Sequence, residues 1–137
     1  MERVACVIPC VGGLVRHDGR LLLVLRGQEP AKGTWSVPGG RVEAGETDAE
    51  ATAREVLEET GLPVVVGALA GEVERAAPGG GVYVIRDHLC SPAPGADVTA
   101  VHGGDDADDA AWFTPDEVRA LTTSPGLVKA LEGWGLL

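Results

Sequence analysis

The chain has 137 residues, 45% of them hydrophobic, a formal net charge of −10, and three cysteines with no C-x-x-C pair. This length predicts one domain over residues 1–137, while the short apolar runs, the N-terminus without signal-like features and the unpaired cysteines predict a cytoplasmic protein with no membrane partner. The acidic balance argues against binding a long nucleic acid, which needs a basic track to neutralise its phosphates.

The first strands are predicted before residue 27. Residues 4–8 and 11–16 are apolar, and residues 20–26 contain enough leucine and valine for a buried strand. Asp18 followed by a glycine is a hairpin signal. The segment therefore predicts an antiparallel pair of strands.

A glycine-rich segment, residues 33–46, follows these strands. Its Pro38-Gly39-Gly40 run would let the backbone approach a ligand closely. An ordinary turn needs the same residues, so the run taken alone favours a turn.

A helix is predicted over residues 48–60. Thr47 and Glu50 have the spacing of a capping box, which satisfies the first free amides of a helix. Gly61 is placed to end the helix in a left-handed conformation, and Pro63 prevents its continuation.

The acidic residues of this helix fall on one face. Glu55, Glu58 and Glu59 are three and four residues apart, whereas Val56 and Leu57 belong to the other side. Like charges at this spacing destabilise a bare helix by a few tenths of a kcal/mol per pair, so the arrangement calls for a cation. Oxygen ligands alone favour Mg²⁺, with Mn²⁺ as a substitute. The alternative is that the three carboxylates form a solvated helix face.

Strands and helices alternate through the rest of the chain. The predicted strands are residues 64–75, 82–90 and 109–113, and the predicted helices are residues 115–121 and 126–132. Thr114 is the expected cap of the first of these helices, with Pro115 at its first position. This order of elements predicts an α/β fold with a mixed sheet between helical layers.

Residues 40–62 contain one extended motif. Its fixed positions are, in order, Gly40, Glu46, Arg54, Glu55, Val56, Glu58, Glu59, Gly61 and Leu62. The motif resembles the signature of the Nudix hydrolases, MutT-like and ADP-ribose pyrophosphatase-like, at every fixed position. The resemblance implies a Nudix-type α/β/α sandwich with a mixed β-sheet. It also implies metal-dependent hydrolysis of a nucleoside diphosphate linked to another moiety X, with a nucleoside triphosphate or an ADP-ribose-like compound as the substrate.

The resemblance further implies roles for single residues. The implied metal ligands are the carbonyl of Gly39 and the carboxylates of Glu46, Glu55, Glu58 and Glu59. The residues assigned to catalysis are Arg54, Glu55, Glu58, Asp105 and Asp106. Within this set Arg54 would orient the carboxylates. Glu58 or one of the two loop aspartates would take the proton of the attacking water.

Three basic residues and one tryptophan near the motif are candidates for substrate binding. Arg26, Lys32 and Arg41 could contact the phosphates, although a scattered solvated surface explains them equally well. Trp35 could stack on a nucleobase or pack under the glycine turn. The expected partner is thus a small nucleotide substrate, and a homodimer stays open.

Two other functions compete with the hydrolase, and the cysteines raise the separate question of a zinc site. A catalytically silent nucleotide-binding sensor would keep the fold. Loss of catalysis normally appears as replacement of the acidic residues of the motif, and none of them is replaced here. A calcium-binding module lacks the Asp-x-Asp-x-Asp-Gly loop that it would need. A zinc site could in principle be made by the chain's three cysteines and one histidine, namely Cys6, Cys10, His88 and Cys90, although their spacing matches no standard zinc pattern.

Overall fold

A computed structural model describes residues 6–137, which form a mixed sheet with helices on both of its faces. The strands are β1 Val7–His17, β2 Arg20–Arg26, β3 Trp35–Ser36, β4 Gly39–Arg41, β5 Val64–Ala76, β6 Val82–Pro92 and β7 Ala107–Phe113. The helices are α1 Asp48–Thr60, α2 Pro115–Ala120 and α3 Leu127–Gly133. Along residues 6–137 no helix is both long and apolar enough to cross a membrane.

Local caps set the ends of α1 as the sequence predicted. The Thr47 hydroxyl accepts from the Glu50 amide, and the Glu50 carboxylate accepts from the Thr47 amide. Gly61 ends the helix with φ of 75°. Thr114 caps α2 with the same reciprocal bonds, to Glu117. These helix ends follow from short-range hydrogen bonds that the sequence encodes directly.

The sheet is organised around β1 and β2. β1 runs parallel to β6, and β6 pairs antiparallel with β5 at one end of the sheet. β1 and β2 pair antiparallel next to the turn that joins them, Arg16 with Leu21 and His17 with Arg20. Further along, β1 pairs with β4, while β2 pairs with β3 and β7. The glycine-rich β4 and the short β3 therefore lie next to the two central strands.

Two hydrophobic clusters cover the two faces of this sheet. Val15 and Leu22 pack with Val56 of α1 on one face, and Leu14 and Leu23 pack with α2 and α3 on the other. β2 alternates poorly in sequence because it is buried on both faces, with Leu21–Val24 all buried. The predicted mixed sheet between helical layers is thus confirmed.

Three local predictions were wrong. Residues 7–16 do not split into two strands, because β1 continues through Pro9, which lacks an amide but whose carbonyl accepts from Val42. Predicted strand residues 4 and 5 lie outside the described residues. Gly39 and Gly40 form β4 and not a turn, because they pair with Gly12 and Val11.

The third wrong prediction concerns the apolar side of α1. Leu57 is 49% exposed, whereas the buried side chains of the helix are Ala51, Thr52, Val56 and Thr60. The helix is therefore rotated so that a row of small residues and one valine faces the sheet.

Candidate active site

Two glycines of β4 lie directly against carboxylates of α1. The amide of Gly39 donates to a carboxylate oxygen of Glu59 at 2.7 Å. A Cβ on Gly40 would lie 2.6 Å from the Glu55 carboxylate, so this close approach requires glycine. Gly39 needs glycine for another reason, since its Cβ would overlap the carbonyl oxygen of Val11. The glycine run therefore sets the distance between the strand and the acidic helix.

Arg54 ties the acidic side chains together. Its Nε and Nη2 donate to the two carboxylate oxygens of Glu46 at 2.7 and 2.9 Å. Its Nη1 donates to Glu55 at 2.9 Å and to Glu58 at 3.2 Å. A further bond from Nη2 reaches the carbonyl of Arg41 on β4 at 3.1 Å. The planar guanidinium suits this role, because it can hold several carboxylates in a fixed geometry.

The electrostatics of the site favour a cation. Burial raises the pKa of Glu59 to about 8, and the nearby charge of Glu55 adds to this, while the Gly39 amide opposes it. Burial also raises the pKa of Glu55, which Arg54 opposes by hydrogen bond and charge. Two neighbouring carboxyl groups are therefore held in surroundings that disfavour their negative charge. A bound divalent cation would relieve this cost.

The raised pKa values predict how the metal-free protein responds to pH. Glu59, with a pKa raised from 4.5 to about 8, and Asp87, raised from 3.8 to about 7, keep their protons in the folded state after the unfolded chain has lost them. Unfolding then releases protons, so we expect the free energy of unfolding to fall by a few kcal/mol as the pH rises from about 4 to about 8. Chemical denaturation at several pH values in EDTA measures this.

A divalent cation bound at Glu59 would replace its proton, so on this hypothesis we expect Mg²⁺ to reverse the trend. The rise in melting temperature on adding Mg²⁺ should therefore be larger at pH 8 than at pH 5.5. Glu59→Gln is the matched variant. Without metal, its free energy of unfolding should change little between pH 7 and 8, and Mg²⁺ should raise its melting temperature much less than that of the parent. A metal-free stability that rises from pH 5.5 to 8 would contradict the buried-acid account.

The loop before β7 brings one of its two candidate aspartates to the site. Its backbone is fixed to the end of α1, since the Gly104 amide donates to the carbonyl of Glu59 at 3.1 Å. The charge of Asp105 makes the smallest of the contributions to the raised pKa of Glu55 and of Glu59, whereas Asp106 makes none. Asp105 and Asp106 are both exposed, and the carbonyl of Asp106 accepts from the amide of Gly27. Asp105 is therefore the better placed of the two.

The predicted substrate residues do not all gather at the carboxylates. The Arg26 charge is close enough to lower the pKa of Glu59, although its Nε donates to the carbonyl of Pro30 at 2.6 Å. Arg41 lies with its guanidinium carbon 5.7 Å from the centre of the Tyr83 ring. Lys32 is exposed in the loop between β2 and β3.

Trp35 packs into the second hydrophobic cluster. Its ring centre is 4.9 Å from that of Phe113 in an edge-to-face arrangement. Its amide and carbonyl bond to Thr122 and Ser124. These contacts show that Trp35 packs within the protein. Its stacking on a nucleobase stays a prediction.

The acidic side chains fit a divalent-cation site that substrate would complete. No group of three His, Cys, Asp or Glu side chains within residues 6–137 is already arranged to hold a metal ion. Glu46, Glu55 and Glu58 are instead each paired with Arg54. Mg²⁺ is commonly bound through one or two carboxylates together with waters and substrate phosphates, so a preformed cage is not required. The all-oxygen donor set and the buried Glu59 match this kind of site.

The zinc alternative is wrong for a geometric reason. Cys10 shares a face of β1 with Leu14, which packs toward α2 and α3. Cys90 packs on the opposite face of the sheet, in the cluster that contains Val56 of α1. Side chains on opposite faces of a sheet cannot share one ion.

One buried acid escaped the sequence analysis. Asp87 lies in β6 and is only 4% exposed. The sequence carried little signal, because Asp87 stands between Arg86 and His88 in the strand and looks like part of a polar run. A strand position cannot be assigned to a face from sequence alone when the strand is buried on both sides.

The fold and the site together define an α/β domain with a mixed sheet. The acidic side chains of its helix α1 are held by one arginine, and they contact the glycine-rich strand β4. The chain belongs to the NUDIX domain family, whose model matches residues 8–132. It is therefore a Nudix hydrolase, a pyrophosphohydrolase of nucleotide-like substrates, as the motif indicated.

Individual relatives agree with this assignment. The chain is 37% identical over 131 residues to a MutT-like protein of Streptomyces ambofaciens, covering 93% of this chain and 79% of the relative. It is 38% identical over 111 residues to an ADP-ribose pyrophosphatase of Methanocaldococcus jannaschii, covering 81% and 64%. The crystal structure of a MutT protein from Methanosarcina mazei superposes with a TM-score of 0.81 at 26% identity, covering 98% of this chain and 96% of that one.

Proposed function

We propose that this protein uses Mg²⁺, with Mn²⁺ as a substitute, to hydrolyse a nucleoside diphosphate linked to another moiety X. The substrate is a nucleoside triphosphate or an ADP-ribose-like compound. The observation that carries the proposal is the buried Glu59 carboxylate, which bonds Gly39 and lies near Glu55 and Asp105 in surroundings that disfavour its charge. The names of the MutT-like and ADP-ribose pyrophosphatase relatives support the two substrate classes.

Distinct tasks follow for the residues of the site. The proposed metal ligands are the Gly39 carbonyl and the carboxylates of Glu46, Glu55, Glu58 and Glu59. Both carboxylate oxygens of Glu46 accept hydrogen bonds from Arg54, so Glu46 would bind a metal only after these bonds break. While the bonds are present, Glu46 holds the guanidinium of Arg54 in place. When bound, Mg²⁺ supplies charge neutralisation of the pyrophosphate and a lower pKa for the attacking water.

The chain's own residues position the water and accept its proton. Glu58 extends from the rim of the site with 42% of its side chain exposed, within reach of solvent, and Arg54 holds its carboxylate. Asp105 lies in the loop that the Gly104 amide anchors to α1, and its charge contributes to the raised pKa of Glu59. Either carboxylate can act as the general base, and Arg26 and Arg41 are proposed to contact phosphates.

Phosphate release from a substrate panel tests the function. The panel contains nucleoside triphosphates, oxidised dGTP, dinucleoside polyphosphates, ADP-ribose and nucleotide sugars, each with Mg²⁺ or Mn²⁺ and a coupled phosphatase. We expect hydrolysis of at least one class, abolished by EDTA. If no compound of the panel is hydrolysed by protein whose melting temperature still responds to Mg²⁺, the nucleotide-binding sensor would be favoured instead.

A further inference from the structure

Arg41 carries a positive charge that no carboxylate of residues 6–137 neutralises by direct contact. None of the ion pairs in this part of the chain includes Arg41. Arg54, in contrast, is paired with several glutamates, and Arg86 is paired with Asp48 and Glu72. In a chain with a formal net charge of −10, an arginine without a carboxylate partner keeps its charge for an incoming anion.

The backbone of Arg41 is part of the active site. Its carbonyl accepts from Nη2 of Arg54 at 3.1 Å, and the preceding Gly40 lies against the Glu55 carboxylate. The side chain of Arg41 lies on the face of the sheet opposite α1, because Arg41 pairs with Cys10 and paired residues point to the same side. A phosphate chain bound at the acids can therefore extend past β4 to the Arg41 guanidinium.

Tyr83 of β6 holds this guanidinium in place. The Arg41 guanidinium carbon lies 5.7 Å from the centre of the Tyr83 ring, and its Nη2 donates to the Tyr83 hydroxyl at 3.4 Å. β1 pairs with both β4 and β6, so the arginine reaches across one strand, about 10 Å from backbone to backbone. An aromatic ring can fix a guanidinium without cancelling its charge, which a carboxylate would do.

We propose that Tyr83 is a positioning residue, which keeps the Arg41 guanidinium where it binds the phosphate chain of the substrate. The inference rests on the proposed nucleotide hydrolysis and on the phosphate contact assigned there to Arg41. A long side chain loses conformational freedom when it is fixed against a ligand. Because Tyr83 fixes Arg41 before the substrate arrives, this loss is not charged against substrate binding.

A double-mutant cycle in KM tests whether Tyr83 acts through Arg41. We expect Arg41→Gln to raise the KM of the best panel substrate by about 10-fold, since a hydrogen-bonded charge contact is lost, with little change in kcat. Tyr83→Leu removes the ring and should raise KM by about 5-fold. The double variant should be no worse than Arg41→Gln alone, because without the guanidinium the ring has nothing to position.

Two variants serve as controls for the cycle. Tyr83→Phe keeps the ring and loses only the long hydrogen bond, so its KM should stay within about 2-fold of the parent. Arg86→Gln removes the same charge from an exposed position of β6 that is already paired with carboxylates, and its KM should also stay within about 2-fold. Melting temperatures of all variants report any loss of stability separately.

Tyr83 also provides a direct signal of anion binding, because it is the single tyrosine of the chain. The full chain labelled with ¹³C-tyrosine is titrated, in Mg²⁺, with imidodiphosphate, a pyrophosphate analogue that has no base and resists hydrolysis. We expect the ring signals to shift saturably in the parent. In Arg41→Gln they should shift much less, because the guanidinium that links the ring to the anion is gone.

Additive effects on KM in the cycle would overturn the assignment. So would ring signals that do not move in the parent, or that move equally in Arg41→Gln, and this measurement stands even if Tyr83→Leu does not fold. EDTA-sensitive hydrolysis with additive effects would leave the proposed function standing and remove the role of Tyr83. An Arg41-dependent shift in protein that hydrolyses no compound of the panel would instead remove the proposed hydrolysis and leave an anion-binding pair.

Discussion

Glu58→Gln is expected to lower the metal-dependent kcat/KM by about 10²- to 10⁴-fold while the fold is retained. The Glu58 carboxylate accepts from Arg54 at 3.2 Å and is 42% exposed, which places it at the boundary between the buried acids and solvent. Glutamine has the same length and can still accept this hydrogen bond, but it can neither take a proton from water nor neutralise a cation. Steady-state hydrolysis of the best panel substrate measures the loss.

Glu132→Gln serves as the matched control for that experiment. Glu132 is an exposed helical glutamate of α3, remote in sequence from the acidic helix, so its replacement removes one negative charge without touching the site. We expect an unchanged rate. Circular dichroism and melting temperature should be the same for parent and both variants. An undiminished rate in Glu58→Gln would refute the assigned role and direct attention to Asp105.

Features that depend on neighbours in sequence were predictable. The bounds of α1 agree with the predicted residues 48–60 because the capping box and Gly61 act within a few residues of the helix ends. The pairing of Arg54 with Glu58 likewise follows from helical spacing, since the two residues are four apart on the helix.

Features that depend on strand pairing were not predictable. Gly39 and Gly40 have a turn composition, and they form a strand only because β1 supplies their partners. Leu57 is apolar yet exposed, because the packing of α1 is set by the small residues that meet the sheet. The position of Asp87 opposite two glycines requires the register of three strands, which no local pattern contains.

Which of the two adjacent aspartates, Asp105 or Asp106, serves the site also depends on the geometry of the loop and not on a local sequence pattern. Asp105 has φ of 52°, a left-handed conformation, directly after Gly104 is bonded to the end of α1. Such a conformation at Asp105 bends the chain between Gly104 and Asp106. A sequence with four aspartates in five positions offers no local signal for the distinction.

Asp105→Asn should therefore lower kcat/KM by about 100-fold, whereas the matched Asp106→Asn should stay within about 3-fold of the parent. Asparagine tolerates the left-handed conformation, so the variant tests charge and not backbone strain. Asp105→Asn also has a second expected effect. Because the Asp105 charge contributes to the raised pKa of Glu55 and Glu59, its removal should move the acidic limb of the pH–rate profile to lower pH.

The pH profile separates the two ways in which Asp105 can act. A general base that is lost lowers the rate at every pH, whereas a charge that only tunes Glu59 shifts the profile and leaves its plateau unchanged. A lower plateau with a shifted acidic limb is the result that we expect. An equal loss in Asp105→Asn and Asp106→Asn would show that the loop rearranges when substrate binds, and full activity in both would leave Glu58 as the general base.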